Sequence, residues 1–479
     1  MNRFLILIVF YFSLHIGYSQ SSLQELLRNP ALKHASIGVS VKDMSSGRTV
    51  FSFSEDKSLT TASIMKIVTT ATALESLGPS YRYNTTLALD ANSSSTLLII
   101  GSGDPTLGTS AFKENPYNFL SNWAQKLLSP LTGINNLKLY VVDNTFGYQG
   151  VSNEWTWIDM GNYYAAGAYG ISVFDNSYRL YFDTTNRNSC PIILRTEPDI
   201  KGLSFTNYLK LNTTGSDNGY IYGSPHSYER ILRGDIPAGR TAFSIKGDIP
   251  DPGLLLGEML ADELTKREIS VAGIETAQND FISQICNNNQ SVQNYRVGQV
   301  LHVHQSRPIT DILRETNVES NNHYAEHIIR TIGRNQNSDI KSDALEEGIK
   351  FVKSYWTKQN LSTSSLFMHD GSGLAPQDAA SPEFFSDLLS YMYNKSKYSK
   401  EFYATLPIAG QEGTLKNFMS NTKYSGRIRA KSGSIGGVQC YAGYLIDGEK
   451  KYAFTIMINK FTGSRASVRK SIESFLLSL

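Results

Sequence analysis

Residues 63–77 read Ser-Ile-Met-Lys-Ile-Val-Thr-Thr-Ala-Thr-Ala-Leu-Glu-Ser-Leu, a helical pattern that is apolar on nearly every side. Ile64, Met65, Ile67, Val68, Ala71, Ala73, Leu74 and Leu77 leave no polar stripe for water, so this helix has to be wrapped all round by other elements. Gly78-Pro79 then stops it. A helix of this kind belongs to the middle of a substantial domain. The chain can supply the covering layers: it has 479 residues, 41% of them hydrophobic. At roughly 100–200 residues per domain, that length predicts about two to four domains.

The covering layers are sought at the two ends of the chain. Residues 36–53 alternate in period two, with Ile37, Val39 and Val41 on one face and a turn at Ser45-Ser46-Gly47, which predicts a hairpin. Strands are predicted at 427–430, 438–446 and 452–459, then a last helix over 465–479. Helices are predicted at 310–318, 324–332, 345–359 and 382–393. Between these ends the texture changes. Short strand-like runs at 85–89, 96–100, 137–142, 192–195 and 219–222 alternate with polar turns, and one clear helix lies at 254–266. The pattern predicts an α/β (α+β) domain, 20–80 plus 296–479, whose antiparallel sheet is flanked by helices. A large β-rich region, 81–295, is inserted in it.

Residues 1–19 are set apart as a secretory signal peptide: a basic start at Arg3, an apolar run over 4–16 and small residues at Gly17 and Ser19. The apolar run is short of the roughly 20 residues a spanning helix needs. The expected protein is exported and periplasmic, with at most loose membrane or wall association, and has no transmembrane segment after cleavage. Lys+Arg 45 against Asp+Glu 43 argues against a nucleic-acid partner. Three cysteines, Cys190, Cys286 and Cys440, are too few for a disulfide scaffold. A Cys190–Cys286 bridge is open, and Cys440 reads as a small core residue.

Three short motifs carry chemistry. Ser63-Ile64-Met65-Lys66 puts a hydroxyl and an amine at i and i+3, neighbours on a helix face. The apolar surroundings desolvate the amine and favour its neutral form, which can take the hydroxyl proton and make Ser63 a nucleophile. The spacing also occurs at Ser54, Ser110, Ser338, Ser420 and Ser467, but only Ser63 opens a long apolar helix. A plain reading, an N-cap serine with a snorkelling lysine, competes with it. Ser-x-Asn occurs at Ser216-Asp217-Asn218, in a polar Gly-flanked turn that reads as a hairpin loop, and at Ser320-Asn321-Asn322, between two helices. At the second place the hydroxyl could relay a proton and the Asn322 amide could hold a substrate carbonyl; an ordinary interhelical turn is the plainer reading. Lys431-Ser432-Gly433 ends a strand-like run and is followed by Ser434. A cation and a hydroxyl there suit a carboxylate, and Gly433 lets another backbone come close.

In the order Ser-x-x-Lys, Ser-x-Asn, Lys-Ser-Gly, the three form the signature set of penicillin-binding proteins and serine β-lactamases. The wide gap between Ser63 and Ser320 narrows the choice. The chain resembles the D-alanyl-D-alanine carboxypeptidase/endopeptidases of the class C low-molecular-mass penicillin-binding proteins. The resemblance extends over Gly101-Ser102-Gly103-Asp104-Pro105-Thr106-Leu107, His304-Gln305-Ser306 and Asp370-Gly371-Ser372-Gly373-Leu374, and over Leu406-Pro407-Ile408-Ala409-Gly410 with Gly413-Thr414-Leu415. Ser432 stands where the family usually has Thr. The resemblance implies Ser63 as nucleophile, Lys66 as base, Ser320 as relay and Asn322 as substrate-orienting group. It implies Lys431 and Ser432 as holders of the terminal carboxylate, and the N–H groups of Ser63 and Ser434, beside Gly433, as an oxyanion hole. Peptidoglycan stem peptides and β-lactams are the implied partners, with no cofactor and no metal.

Other chemistries compete. His323-Tyr324-Ala325-Glu326-His327 matches H-x-x-E-H, a zinc peptidase pattern, with two histidines at i and i+4. No G-x-S-x-G occurs, so the nucleophile elbow of an α/β-hydrolase is missing. A wall-binding module without activity is the non-enzymatic alternative, and the intact reactive groups argue against it.

Overall fold

The structure, a computed structural model, describes residues 23–24, 26–278 and 295–479. The signal-peptide segment and Cys286 lie outside the described residues, so neither cleavage nor the Cys190–Cys286 bridge is addressed by it. The described residues divide into two compact units: those up to 79, with 313–321 and 352–479, form one, and those within 80–312 and 322–351 the other.

In the first unit, helix α1 (Met65–Leu77) is buried continuously from Met65 to Leu74. Its polar side chains are satisfied inside: Thr70 Oγ1 donates to Lys66 O (2.7 Å), Thr72 Oγ1 to Val68 O (2.7 Å) and Thr69 Oγ1 to Gly371 O (2.6 Å). Trp356 Nε1 adds a bond to Thr72 Oγ1 at 2.9 Å, so the surrounding shell recognises the helix by hydrogen bonds as well as by apolar contact. Gly78, at φ 77°, caps the end, its N–H bonding Leu74 O.

The unit's sheet comprises β1 (Ser36–Asp43), β2 (Thr49–Phe53), β3 (Ile428–Ile435), β4 (Val438–Asp447) and β5 (Lys450–Asn459). It is five-stranded, in the order β3-β4-β5-β1-β2, and antiparallel throughout. Chain start and chain end meet at the β1–β5 pair, where Val39 faces Ile456 and Val41 faces Phe454. The two faces of β1 explain why its alternation is blurred. Ile37, Val39 and Val41 pack with Val468, Ile472 and Phe475 of the terminal helix α3 (Arg465–Leu477). On the opposite face Ser40 Oγ bonds Ser386 Oγ at 2.7 Å, on helix α2 (Pro382–Asn394). Both sides are therefore covered, giving a helix–sheet–helix sandwich. Helix α2 begins where the sequence says it should: Ser381 accepts from Phe384 N, and Pro382 occupies the first turn. Cys440 is buried on β4, in line with a core role, and burial pushes its thiol up to about 12.

The second unit contains a five-stranded sheet that is partly parallel: Ser93–Ile100 runs parallel to Leu137–Val142, and Leu137–Val142 parallel to Val271–Thr276. Parallel neighbours need crossover helices. One is Pro252–Thr265, close to the expected 254–266. The other, Asn118–Leu131, was not expected. Its buried residues Phe119, Leu120, Trp123, Ala124, Leu127 and Leu131 keep a helical spacing, but its Asn-rich start and Pro130 read as loop. Smaller sheets, one of them Tyr220–Tyr222, Glu229–Arg233 and Ser204–Asn207, complete the β-rich character. Residues 296–312 and 322–351 group with this unit, whereas the sequence assigned them to the first; strand Val297–Gln305 pairs with Asn84–Asp90. No helix among the described residues is long and apolar enough to cross a membrane.

Candidate active site

Ser63 sits one turn earlier than the regular helix, in a 3₁₀ turn (Ala62–Ile64) that leads into α1. Ala62, immediately before it, has φ 45°, an uncommon value for a residue with a side chain. The surrounding chain imposes it. Thr61 N donates to Asp378 O at 3.1 Å, and the loop 370–375 presses against the turn: a Cβ on Gly373 would come 1.9 Å from Ala62 O. The loop is built around one buried carboxylate. Asp370 accepts from the N–H groups of Ser372, Gly373, Leu374 and Ala375 at 2.6–3.0 Å. Its product is a fixed carbonyl, Ser372 O, which accepts from Lys66 Nζ at 2.7 Å. Lys66, 0% exposed, reaches Ser63 Oγ at 3.0 Å with the same nitrogen. Asp370 and Ser372 were quoted in the family resemblance but given no role. Their signal is the Asp-Gly-Ser-Gly run itself, in which a carboxylate precedes consecutive small residues with open N–H groups.

Strand β3 forms the second wall. Gly433 lies against the Ser63 turn, and a Cβ there would stand 2.6 Å from Thr61 O and 3.0 Å from Ser63 N. β3 is an edge strand, and Ala430 N on its open edge bonds Pro407 O. By the two-residue period, the N–H of Ser434 points off that same edge. Ser432 Oγ donates to Thr414 Oγ1, and Ser434 Oγ to Gln439 Oε1, each at 2.9 Å.

Ser320 has φ 60° in the link between helices Ile309–Val318 and Asn322–Gln336. Its Oγ accepts from Lys431 Nζ at 2.9 Å, and the same Nζ donates to Ser432 O at 2.7 Å. Lys431 is 0% exposed, and burial, then the neighbouring Lys66, holds its amine well below the usual lysine range. Ser63, Ser320, Ser432 and Ser434 line one cavity of about 420 Å³, with Thr414, Gln439, Tyr441, Arg465 and Arg469 also on its wall. The first unit thus assembles Ser63, Lys66, Ser320, Lys431, Ser432, Gly433 and Ser434. Asn322 opens a helix of the second unit, where its Nδ2 donates to Tyr164 O at 2.8 Å.

The competing motifs separate from this chemistry. Ser216 lies in an exposed loop of the second unit, its carbonyl tied to Asn212 Nδ2 at 2.8 Å. In the H-x-x-E-H segment, His327 Nδ1 donates to Gly103 O at 2.9 Å, which leaves Nε2 to accept from Ser172 Oγ at 2.8 Å. Its lone pair is used, and burial keeps the ring neutral by pushing its pKa well down. Glu326 pairs with Arg330 at 2.6 Å in the interior. Two of the three residues that a zinc peptidase would use, His327 and Glu326, are held by protein groups.

Comparison with known proteins places the chain in a family. The chain is 26% identical to a D-alanyl-D-alanine carboxypeptidase of Actinomadura sp. (strain R39) over 471 residues, 93% of this chain and 81% of the relative. It is 22% identical to a D-alanyl-D-alanine carboxypeptidase of Haemophilus influenzae over 456 residues, 91% of this chain and 88% of that one. The crystal structure of penicillin binding protein 4 from Haemophilus influenzae superposes with a TM-score of 0.76 at 20% identity, covering 96% of this chain and 98% of that one, so the fold is shared. The profile of the D-Ala-D-Ala carboxypeptidase 3 (S13) family matches residues 19–477, and the chain belongs to that family of peptidases.

Proposed function

We propose that this protein is a serine-type DD-peptidase that removes the terminal D-Ala from peptidoglycan stem peptides. One observation carries the proposal: Ser63 and Ser320 line one cavity, and behind that wall each hydroxyl has its own buried lysine, Ser63 Oγ at 3.0 Å from Lys66 Nζ and Ser320 Oγ at 2.9 Å from Lys431 Nζ. Lys66, uncharged in the reactive state, takes the Ser63 proton as Oγ attacks the carbonyl carbon of the penultimate D-Ala. Negative charge grows on the carbonyl oxygen between Ser63 N–H and the outward-facing Ser434 N–H. The peptide can lie along the open edge of β3 as an added strand. The proton that Lys66 took from Ser63 reaches the departing amine by way of the Ser320 hydroxyl, held by Lys431, which gives up one proton and regains another; the C–N bond breaks, and an ester to Ser63 remains. Water then attacks the ester and returns the free serine. Asn322 is assigned to orienting the substrate amide.

The same steps on a D-Ala–meso-diaminopimelate cross-link give endopeptidase activity, and on a β-lactam a long-lived acyl-enzyme. An exported, periplasmic protein meets these substrates. The test is intact-protein mass spectrometry with a labelled penicillin, run beside D-Ala release from a stem-peptide mimic. Wild type is expected to gain one adduct and Ser63→Ala none. A wild type that takes no label, or a Ser63→Ala that acylates at the wild-type rate, overturns the assignment.

A further inference from the structure

The cavity holds a charge pattern that the three motifs do not explain. The two lysines of the site do not reach its wall. Lys66 donates to Ser63 Oγ and Ser372 O, and Lys431 to Ser320 Oγ and Ser432 O; both are 0% exposed. The positive groups that do line it are Arg465 and Arg469, from the first turns of α3. No aspartate or glutamate shares the wall with them. Arg465 is exposed, touches Ile435 O through Nη2 at 3.4 Å, and has no ion pair among the described residues. Arg469 comes no nearer than 3.9 Å to Glu473, beyond hydrogen-bond reach, while Glu473 accepts from Met419 N at 2.8 Å. Two guanidiniums with unspent donors beside the Ser432 and Ser434 hydroxyls suit an anion with planar oxygens, because the guanidinium fork matches a carboxylate.

We infer that Arg465 and Arg469 recognise the free α-carboxylate of the leaving D-amino acid, and so select substrates that end in a carboxylate over those with a neutral end. This rests on the proposed DD-peptidase reading. It divides the labour on β3: Lys431 works on Ser320, Ser432 and Ser434 offer hydroxyls, and α3 supplies the charge. A selective device of this kind makes carboxypeptidase substrates and cross-links ending in a free D-centre carboxylate equivalent at this subsite, and rejects capped ends.

The experiment compares kcat/KM for an N-acylated D-Ala-D-Ala with that for its C-terminal amide, using the mature protein. Wild type is expected to prefer the carboxylate by about 10- to 100-fold, the range of a charge-assisted contact. In the double variant Arg465→Ala/Arg469→Ala the preference should collapse toward one, mainly through KM for the carboxylate substrate. Arg465→Lys/Arg469→Lys should restore part of it, and added salt should erode it in wild type. An unchanged preference in the alanine double variant overturns the inference, as does an equal loss on both substrates, which would report damage to the wall. If wild type instead cleaves neither substrate and takes no penicillin, the DD-peptidase reading itself falls, and this inference with it.

Discussion

Gly433→Ala tests whether the closeness of β3 to the nucleophile turn is functional. The added Cβ would stand 2.6 Å from Thr61 O, 2.9 Å from Ile64 N and 3.0 Å from Ser63 N, where ordinary contact begins at 3.4 Å. All three neighbours are backbone, so no side chain can swing aside. β3 and the turn must part by about 0.8 Å at the closest point. On its other side β3 is held by β4 in register from Ile428↔Leu445 to Ile435↔Val438. The movement therefore falls on the spacing between Ser63 and Ser434, the two assigned oxyanion donors. A misplacement near 1 Å costs on the order of 100-fold, so acylation by a labelled penicillin should slow by about 10- to 100-fold. Stability should drop by only about 1–3 kcal/mol, the usual cost of overpacking, and thermal melting checks that the variant is folded. Gly436→Ala is an internal control, since nothing lies within 4 Å of its added carbon. If Gly433→Ala acylates within twofold of wild type, the close approach has no part in catalysis and the oxyanion assignment loses its structural basis.

Ser320→Ala should slow acylation by about 100- to 10,000-fold, the worth of a positioned proton-transfer group, while Ser216→Ala should leave it unchanged; a crippled Ser216→Ala would mean that the other Ser-x-Asn is the working one. EDTA should leave D-Ala release untouched and a β-lactam should abolish it; loss with EDTA and rescue by Zn²⁺ would favour the H-x-x-E-H chemistry. Burial pushes the Asp104 carboxyl up to about 6 despite hydrogen bonds from Thr106, so the fold favours its protonated form. That contribution to stability is fully present below the ordinary value of 3.8 and is lost as pH rises through about 6. Urea unfolding of Asp104→Asn should therefore show a flatter stability profile between those pH values than wild type, and an identical slope would refute the assignment.

The parts of this protein legible in sequence are those whose physics is local. Helix α1 announces itself because burial on every side leaves no polar stripe, and Ser63 and Lys66 meet because one helical turn brings them together. The terminal strands show their period, and their pairing follows from needing each other's edges. What stayed hidden depends on partners far along the chain or on backbone groups. Asp370 works through backbone N–H groups, so the only trace it leaves in the sequence is the Asp-Gly-Ser-Gly run, and no partner side chain marks its role. Arg465 and Arg469 look like the solvated face of a last helix, and only the return of α3 onto β3 and β4 brings them to the cavity. The path through 309–358 is harder still. Residues 313–321 join the first unit and 322–351 the second, and nothing in the helical period on either side of the 319–321 link tells that the two helices pack in different environments. Ser320 lies beside that crossing, at φ 60°, and there the chain turns sharply enough to put one hydroxyl on the cavity wall while the next helix belongs to another core. A left-handed residue with a side chain at such a point is strain kept for a purpose. The Lys431–Ser320 hydrogen bond is the interaction it secures.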